Sequence, residues 1–262
     1  MKAKKYLGQH FLTSQTTAQK IVNGLDTIDN QDVLEVGPGM GILTQYLLNS
    51  AKTFRAVEID NDASNYLKNI WQNIEIIQAD FLKINLNDYY NDTFRLIGNF
   101  PYNISSQIVF KIIENSHLIN QWVGMFQLEM GIRLVAQPKD KKDYGILSVL
   151  MPFYYDVEQI MTLPSSAFDP PPRVNSIVVK ARKKEHIFKA DPKLIKRVVK
   201  TAFGQRRKTL RNSLASIIAK ELLINHQFAT LRPENLTYLQ FEELCVFIEP
   251  HVSNCNTKLI EG

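Results

Sequence analysis

The chain has 262 residues, 45% of them hydrophobic and 22% charged, enough apolar material for a sizeable core and too much for a disordered or fibrous protein. Its two cysteines, Cys245 and Cys255, exclude a disulfide scaffold and a four-cysteine zinc site, and they fit a reducing compartment. No apolar run of signal-peptide length follows the basic start, and the longest uncharged stretches (96–110 and 115–128) fall short of the roughly 18 apolar residues of a membrane span. A soluble, cytoplasmic protein is expected.

In chain order, short β-rich runs alternate with helical patterns. Residues 32–37 read as a buried strand ending in a glycine turn, and 42–48 as the following helix. Strand 54–59, helix 62–71 and strand 74–78 come next, then strand 94–98, helix 105–114 and strand 122–126. Such alternation predicts a mostly parallel sheet covered on both faces. Near residue 144 it stops. The apolar runs 146–155 and 176–180 read as two strands with no helix between them, an antiparallel return at the sheet edge. Between them Asp169-Pro-Pro-Pro-Arg173 favours an extended segment that cannot be helix. Helices are expected over 192–203, 209–223 and 241–249, with a domain boundary at about residue 185.

The net charge of +5 is unevenly placed. Residues 180–211 hold 13 Lys or Arg against two acids, Glu185 and Asp191, so the rest of the chain is net acidic. This asymmetry points to a polyanion bound near that segment, or equally to a solvated, lysine-rich helical face.

The first strand runs into Glu35-Val-Gly37-Pro-Gly39-Met-Gly41, where glycines let the backbone approach a ligand at the carboxyl edge of the sheet. A dinucleotide loop would carry a glycine at position 42, which is Ile, so a pyrophosphate-binding loop is disfavoured. Glu58, ending the second strand, can accept from ribose hydroxyls, and Asp80, after the third, from an adenine amine; each can equally be a surface acid or a helix cap. Three such features at consecutive strand ends suggest a nucleoside-bearing cofactor. Asn99-Phe100-Pro101-Tyr102 follows the fourth strand. The exocyclic amine of adenine is a poor nucleophile because its lone pair is delocalised. An Asn side-chain carbonyl and a neighbouring backbone carbonyl can accept its two N–H bonds and hold the nitrogen in line with an electrophile, while Tyr102 offers a face for a flipped base. Alone, the tetrapeptide could be an ordinary Asn-x-Pro turn. The five histidines show no paired metal-ligand spacing, so no metal is expected.

Together these residues resemble the KsgA-type ribosomal RNA adenine dimethyltransferases. The resemblance runs from Gly8 to about Leu214. Gly8-Gln-His-Phe-Leu12 resembles an N-terminal motif covering the cofactor, and it implies roles for His10 and Leu12 there. Glu35 to Gly41 resembles the cofactor loop, Val57-Glu-Ile-Asp60 the ribose-binding strand end and Ala79-Asp80-Phe81 the element at the cofactor adenine. Asn99 to Tyr102 resembles the Asn-Leu-Pro-Tyr catalytic motif, with Phe100 in place of Leu. Phe168-Asp-Pro-Pro-Pro-Arg-Val-Asn-Ser176 resembles a loop beside the active site, and Ala202 to Ser213 a basic element opening a helical domain.

The resemblance implies a Rossmann-like α/β methyltransferase fold with a mostly parallel seven-stranded sheet (residues 1–185) and a small helical RNA-binding domain (186–262). It implies S-adenosylmethionine (S-adenosyl-L-methionine) as methyl donor, held by His10, Leu12, Gly37, Glu58, Asp80 and Asn99, with Asn99, Phe100, Pro101 and Tyr102 catalytic. The implied reaction is dimethylation of two adjacent adenosines in a hairpin near the 3′ end of 16S rRNA, within the immature small ribosomal subunit, by a monomer. Arg206, Arg207, Lys208 and Arg211 become candidates for phosphate contacts. An Erm-like methyltransferase of 23S rRNA and a non-catalytic assembly factor are the alternatives. A nicotinamide oxidoreductase leaves Asn99–Tyr102 and the basic helices unexplained.

Overall fold

The structure is a computed structural model that describes residues 3–26 and 30–257. Its main sheet has seven strands: β1 (Asp32–Val36), β2 (Thr53–Glu58), β3 (Glu75–Gln78), β4 (Phe94–Asn99), β5 (Ile119–Gln127), β6 (Tyr155–Leu163) and β7 (Ser176–Lys183). They lie in the order β3-β2-β1-β4-β5-β7-β6. The first five are parallel and β7 runs antiparallel between β5 and β6, so the expected Rossmann-like sheet with an antiparallel return is present. β1 and β4 are central, and Val33, Leu34, Leu96 and Ile97 are fully buried, as strands covered on both faces require.

The order reverses at β1, whose neighbours are β2 and β4, and the carboxyl edges of these three strands carry Gly37, Glu58 and Asn99. A crevice at such a reversal is where open α/β sheets bind ligands. Helix α1 (Gln15–Val22) is capped by Ser14, which accepts from Thr17 N, and buries Ala18, Ile21 and Val22. Helix α2 (Asn61–Ile70) is capped by Asp60 through Asp62 N. A second, two-stranded antiparallel ribbon pairs Phe11–Leu12 with Phe168–Asp169, and Thr13 N donates to Ala167 O at 3.0 Å. Two motifs far apart in sequence are thereby joined.

The apolar run at 146–155 is not the expected strand. Ile146–Leu150 is helical and Met151–Phe153 forms a 3-10 turn; strand β6 begins only at Tyr155. Leu147, Val149, Leu150, Met151 and Phe153 are all buried, so no polar face marks the helical period. β6 is an edge strand bearing Asp156 and Glu158 and exposes much of its surface, which hides it from a hydrophobic pattern. The helix expected over 209–223 is also broken, into Leu210–Ser213 and Lys220–Leu223, with a run of turns between them and Ala219 (ψ 137°) outside the helical range.

The chain divides into two compact units, one of residues up to Ile132 with Tyr155–Lys183, the other of Arg133–Tyr154 with residues from Lys184 onward. Segment 133–154, expected in the catalytic part, therefore belongs with the helical unit. In that unit Asp191 caps Pro192–Gly204 through Lys193 N (2.9 Å), and buried Glu242 accepts from Lys189 N (2.9 Å) and meets His186 Nε2 at 3.0 Å. Cys245 is buried there as a free thiol; the side chain of Cys255 lies outside the described residues. Among the described residues no helix is long and apolar enough to cross a membrane.

Phe100 is wholly buried behind the carboxyl edge of the sheet. Its ring lies over Gly98 and Gly124 on adjacent strands; a Cβ on Gly98 would lie 2.7 Å from the ring, and one on Gly124 would collide with it. These glycines make room for a ring larger than Leu. Gly124→Ala is therefore expected to cost about 1–3 kcal/mol by overpacking. Phe100→Leu in the same chain should recover part of that loss, measured by urea denaturation.

Candidate active site

At the switch point, residues 7–12, the glycine loop and Asn99–Tyr102 line a cavity that is partly open to solvent, the place where open α/β sheets bind ligands. His10, Leu12, Gly37, Glu58 and all of Asn99–Tyr102 line it. Gly37, Gly39 and Gly41 have φ of 68°, 57° and 81°, the left-handed region that glycine alone occupies without strain. A Cβ on Gly37 would meet only Asn99 O, at 4.0 Å, so a side chain there would project into the open cavity. On Gly39 it would lie 2.9 Å from Phe11 Cε1. The glycines thus keep the cavity floor clear and let the N-terminal arm close over it.

Two buried acidic side chains, Glu58 and Glu35, belong to the same lining. Glu58 is buried, with Oε2 accepting from Gly39 N (3.3 Å) and Oε1 from Asp60 N (2.8 Å). Burial raises its pKa, and these backbone donors oppose the shift. Glu35, 1% exposed, accepts from Thr44 Oγ1 at 2.7 Å; burial and then the nearby Glu58 charge push its pKa up to about 8 against the Thr44 hydrogen bond. Glu35 is therefore protonated at neutral pH. Ile59 and Met40, both apolar, line the cavity while 51% and 36% exposed, offering surfaces for a flat ring.

Asn99 is fixed from the opposite wall. Its Nδ2 donates to the His10 carbonyl at 2.7 Å. A carbonyl can only accept, so the amide orientation is determined and Oδ1 remains an acceptor. His10 Nδ1 donates in turn to Pro170 O at 2.7 Å, and the imidazole stacks on Tyr102 with centroids 5.4 Å apart. The Tyr102 hydroxyl meets buried Ser176 Oγ at 2.5 Å, and burial raises its pKa. The carbonyl of Pro101 accepts from Ile104 N (3.2 Å) and Ser105 Oγ (3.1 Å), which holds the turn.

Asp80 stands outside this lining. Its Oδ1 accepts from Leu82 N at 2.9 Å, closing a turn at residues 81–84 rather than capping a helix. The loop it opens is clamped by Lys111, whose Nζ donates to Leu82 O (3.1 Å) and Ile84 O (2.5 Å) and lies 5.3 Å from the Phe81 ring centroid. Sequence reasoning missed Lys111, which carries no motif. It also passed over the anchor of the arm: Lys4 Nζ bonds Asp60 Oδ1 (2.6 Å) and Asp62 Oδ2 (2.7 Å), and Gln9 Nε2 donates to Asp60 Oδ2 (3.0 Å). Burial pushes the Asp60 pKa up, but Lys4, Gln9 and Asp62 N outweigh it and the net shift is downward.

The basic segment is only partly a free surface. Lys180 is buried and pairs with Asp26 (2.7 Å), and Arg182 pairs with Asp26 (2.9 Å) and Glu158 (3.0 Å), all on the catalytic unit. Arg206, expected to contact phosphate, donates instead to Glu234 Oε2 at 3.0 Å and to the carbonyls of Lys141 and Lys142. Arg207 and Lys208 are exposed.

Residues 1–250 match the family described as "Ribosomal RNA adenine dimethylase". The chain belongs to that family. It is 46% identical over 253 residues to "Ribosomal RNA small subunit methyltransferase A" of Flavobacterium johnsoniae, covering 95% of this chain and 97% of the relative. It is 44% identical over 254 residues to the protein of the same name in Bacteroides fragilis, covering 95% and 93%. Among solved structures, a dimethyladenosine transferase from Plasmodium falciparum superposes with a TM-score of 0.79 at 26% identity, covering 93% of this chain and 99% of the other. The 23S rRNA methyltransferase ErmE superposes with a TM-score of 0.67 at 25% identity, covering 90% and 99%. Family membership makes this a ribosomal RNA methyltransferase fold of the S-adenosylmethionine-dependent kind.

The buried Glu35 fixes a pH dependence. Its pKa is raised from 4.5 when unfolded to about 8 when folded, so stability is fully present below pH 4.5 and is lost as pH rises towards 8. The loss approaches about 1.4 kcal/mol per pH unit at its steepest. Glu35→Gln removes the ionisable group. Its thermal midpoint relative to the parent should climb from pH 5 to pH 8; a gap independent of pH would show that Glu35 ionises normally.

Proposed function

We propose that this chain transfers two methyl groups from S-adenosylmethionine to the N6 amine of each of two adjacent adenosines near the 3′ end of 16S rRNA. The observation that carries this reading is the fixed amide of Asn99. With Nδ2 engaged by the His10 carbonyl, Oδ1 is the acceptor left for a substrate N–H. The Phe100 backbone carbonyl supplies the second acceptor of this reading, and the burial of the Phe100 ring explains why its side chain can differ from the usual Leu. Tyr102, held by Ser176 and stacked on His10, offers its ring to the flipped base.

The donor residues fit the proposed cofactor. Glu58 has both oxygens oriented by backbone donors and is aimed at the cavity, as recognition of ribose hydroxyls requires; the clear space above Gly37 admits a ligand against the backbone. Leu12 and His10 close the far side. Asp80 is retained for the adenine amine, with one oxygen already used by Leu82 N. When bound, S-adenosylmethionine supplies a methyl group activated by its sulfonium. The protein's part is then chiefly positional. Asn99 and the Phe100 carbonyl hold the amine in line, and no general base is required because the product cation can lose its proton to water. For the second transfer one of these two acceptors keeps its N–H and the pocket accommodates one methyl group.

The higher identity to relatives named for the small subunit than to ErmE supports a small-subunit substrate over an Erm-like one. The retention of Asn99–Tyr102 and Glu58 supports catalysis over a purely structural assembly role. The substrate is taken to be the RNA within an immature small subunit, bound by a monomeric protein in the cytoplasm.

The test is methylation of unmethylated small subunits and of protein-free 23S rRNA, followed by mass spectrometry of the nucleosides. Dimethyladenosine should form in the small subunit alone, and Asn99→Ala should lower turnover about 10²-fold or more, a larger effect than on S-adenosylmethionine affinity. Glu58→Ala should do the reverse, weakening cofactor binding first. Product from 23S rRNA, or undiminished turnover by Asn99→Ala, would contradict the reading.

A further inference from the structure

Arg206 gives the helical unit a surface that the sequence does not display. It sits just after helix Pro192–Gly204 and reaches two other segments of the same unit. Its Nε donates to Glu234 Oε2 at 3.0 Å, Nη1 to Lys142 O at 3.3 Å, and Nη2 to Lys141 O. A guanidinium presents a rigid planar fork of donors, which an ammonium cannot reproduce. The loop it grips is held in other ways too. The 3-10 turn Pro138–Asp140 packs on the 3-10 turn Pro233–Asn235, and the buried Tyr144 hydroxyl donates to Leu236 O at 2.9 Å.

The consequence lies in what the clamp leaves outside. With its backbone carbonyls turned in to Arg206, the loop 137–143 carries Lys139, Lys141 and Lys142 exposed. Arg207 and Lys208, next in sequence to the clamp, are exposed as well. Arg211 N and Leu210 N donate to Ala229 O (3.0 Å) and Leu231 O (2.7 Å), which brings the exposed Arg232 alongside. The loop's acids, Asp140 and Asp143, leave it an excess of basic charge against the three lysines; Asp140 Oδ2 accepts from Gln137 N at 2.8 Å to cap the turn, and Glu234 of the neighbouring turn is matched by Arg206.

We infer that Lys139, Lys141 and Lys142 extend the basic segment at Arg207 and Lys208 into one RNA-backbone-binding surface, and that Arg206 is the positioning residue that assembles it. The assignment rests on the RNA-methylating reading above. It differs from that reading in adding a loop 64 residues away in sequence and in taking Arg206 out of direct phosphate contact. The occupant is the sugar-phosphate backbone of structured RNA, recognised by charge and placement rather than by base identity.

The experiment uses the full chain and 16S rRNA in unmethylated small subunits, with dissociation constants measured across a salt series. Replacing Lys139, Lys141 and Lys142 together by Ala should weaken binding and flatten the log–log salt slope by roughly 2 to 3, since each phosphate neutralised contributes about 0.7 on a single strand and about 0.9 on a duplex. S-adenosylmethionine affinity should be unaffected. Arg206→Lys keeps the charge, so a direct phosphate role predicts little change; the clamp predicts weaker binding. In the Arg206→Lys chain the triple lysine substitution should then add less than it does in the parent.

A salt slope unchanged in the triple lysine variant would overturn the surface, and fully additive effects would overturn the clamp. Arg207 and Lys208, replaced by Ala, separate the two levels of failure. If they reduce binding while the lysine loop does not, only this inference falls. If the parent chain itself neither binds nor methylates small subunits, the underlying reading falls. Should Arg206→Lys fail to fold, the triple lysine variant, which alters only exposed side chains, still decides the surface.

Discussion

The hydrogen bond from Asn99 Nδ2 to the His10 carbonyl is the interaction on which the site depends. It fixes an amide that could face either way, with Nδ2 donating and Oδ1 left as the acceptor. It does so with a backbone atom of the N-terminal arm, so the arm must be in place for Asn99 to be set. The arm is held by interactions of three kinds. Lys4 and Gln9 bind Asp60, whose carboxylate also caps helix α2; Phe11–Leu12 pairs with Phe168–Asp169; and His10 Nδ1 donates to Pro170 O. The proline-rich segment thus has a use beyond stiffness: its carbonyl fixes the imidazole that flanks Tyr102.

Behind the glycine loop two carboxyl groups are buried. Glu58 is tolerated because two backbone N–H groups support it, while Glu35 has the single Thr44 hydroxyl and remains protonated. Desolvation sets the sign in both cases, and hydrogen bonding sets how far each group departs from an ordinary carboxylate. An acidic side chain kept at a strand end, with its oxygens directed by the backbone, is pre-organised for hydroxyl donors of a ligand.

Much of this was legible in the sequence because the parallel strands are continuous apolar runs and the glycine, acidic and Asn-x-Pro-Tyr elements fall at their ends. β1 to β5 follow the expected order, and the cavity gathers Gly37, Glu58, Asn99 and Tyr102 as their positions implied. Failures came where tertiary burial erased a periodic signal. Ile146–Leu150 is a helix buried on nearly every side, and β6 is an edge strand with an exposed, charged face. Charge was the least readable property. A run of Lys and Arg says nothing of which heads are enclosed: Lys180 and Arg182 serve ion pairs within the catalytic unit, and Arg206 binds carbonyls and Glu234. Conversely, Lys139, Lys141 and Lys142 lie among acids in sequence, and their grouping follows from a fold-level interaction. Lys4 and Lys111 likewise belong to no motif, and their importance comes only from what the topology places beside them.

The orientation of Asn99 can be observed by NMR of the full chain with 15N and 13C labels, looking for scalar coupling across the hydrogen bond from Asn99 Nδ2 to the His10 carbonyl carbon. That coupling should be present, with the Asn99 side-chain N–H pair exchanging more slowly than those of exposed asparagines. An Asn99 amide with no such coupling and with rapid exchange would mean that the arm does not orient it, and the positional mechanism would have lost its support.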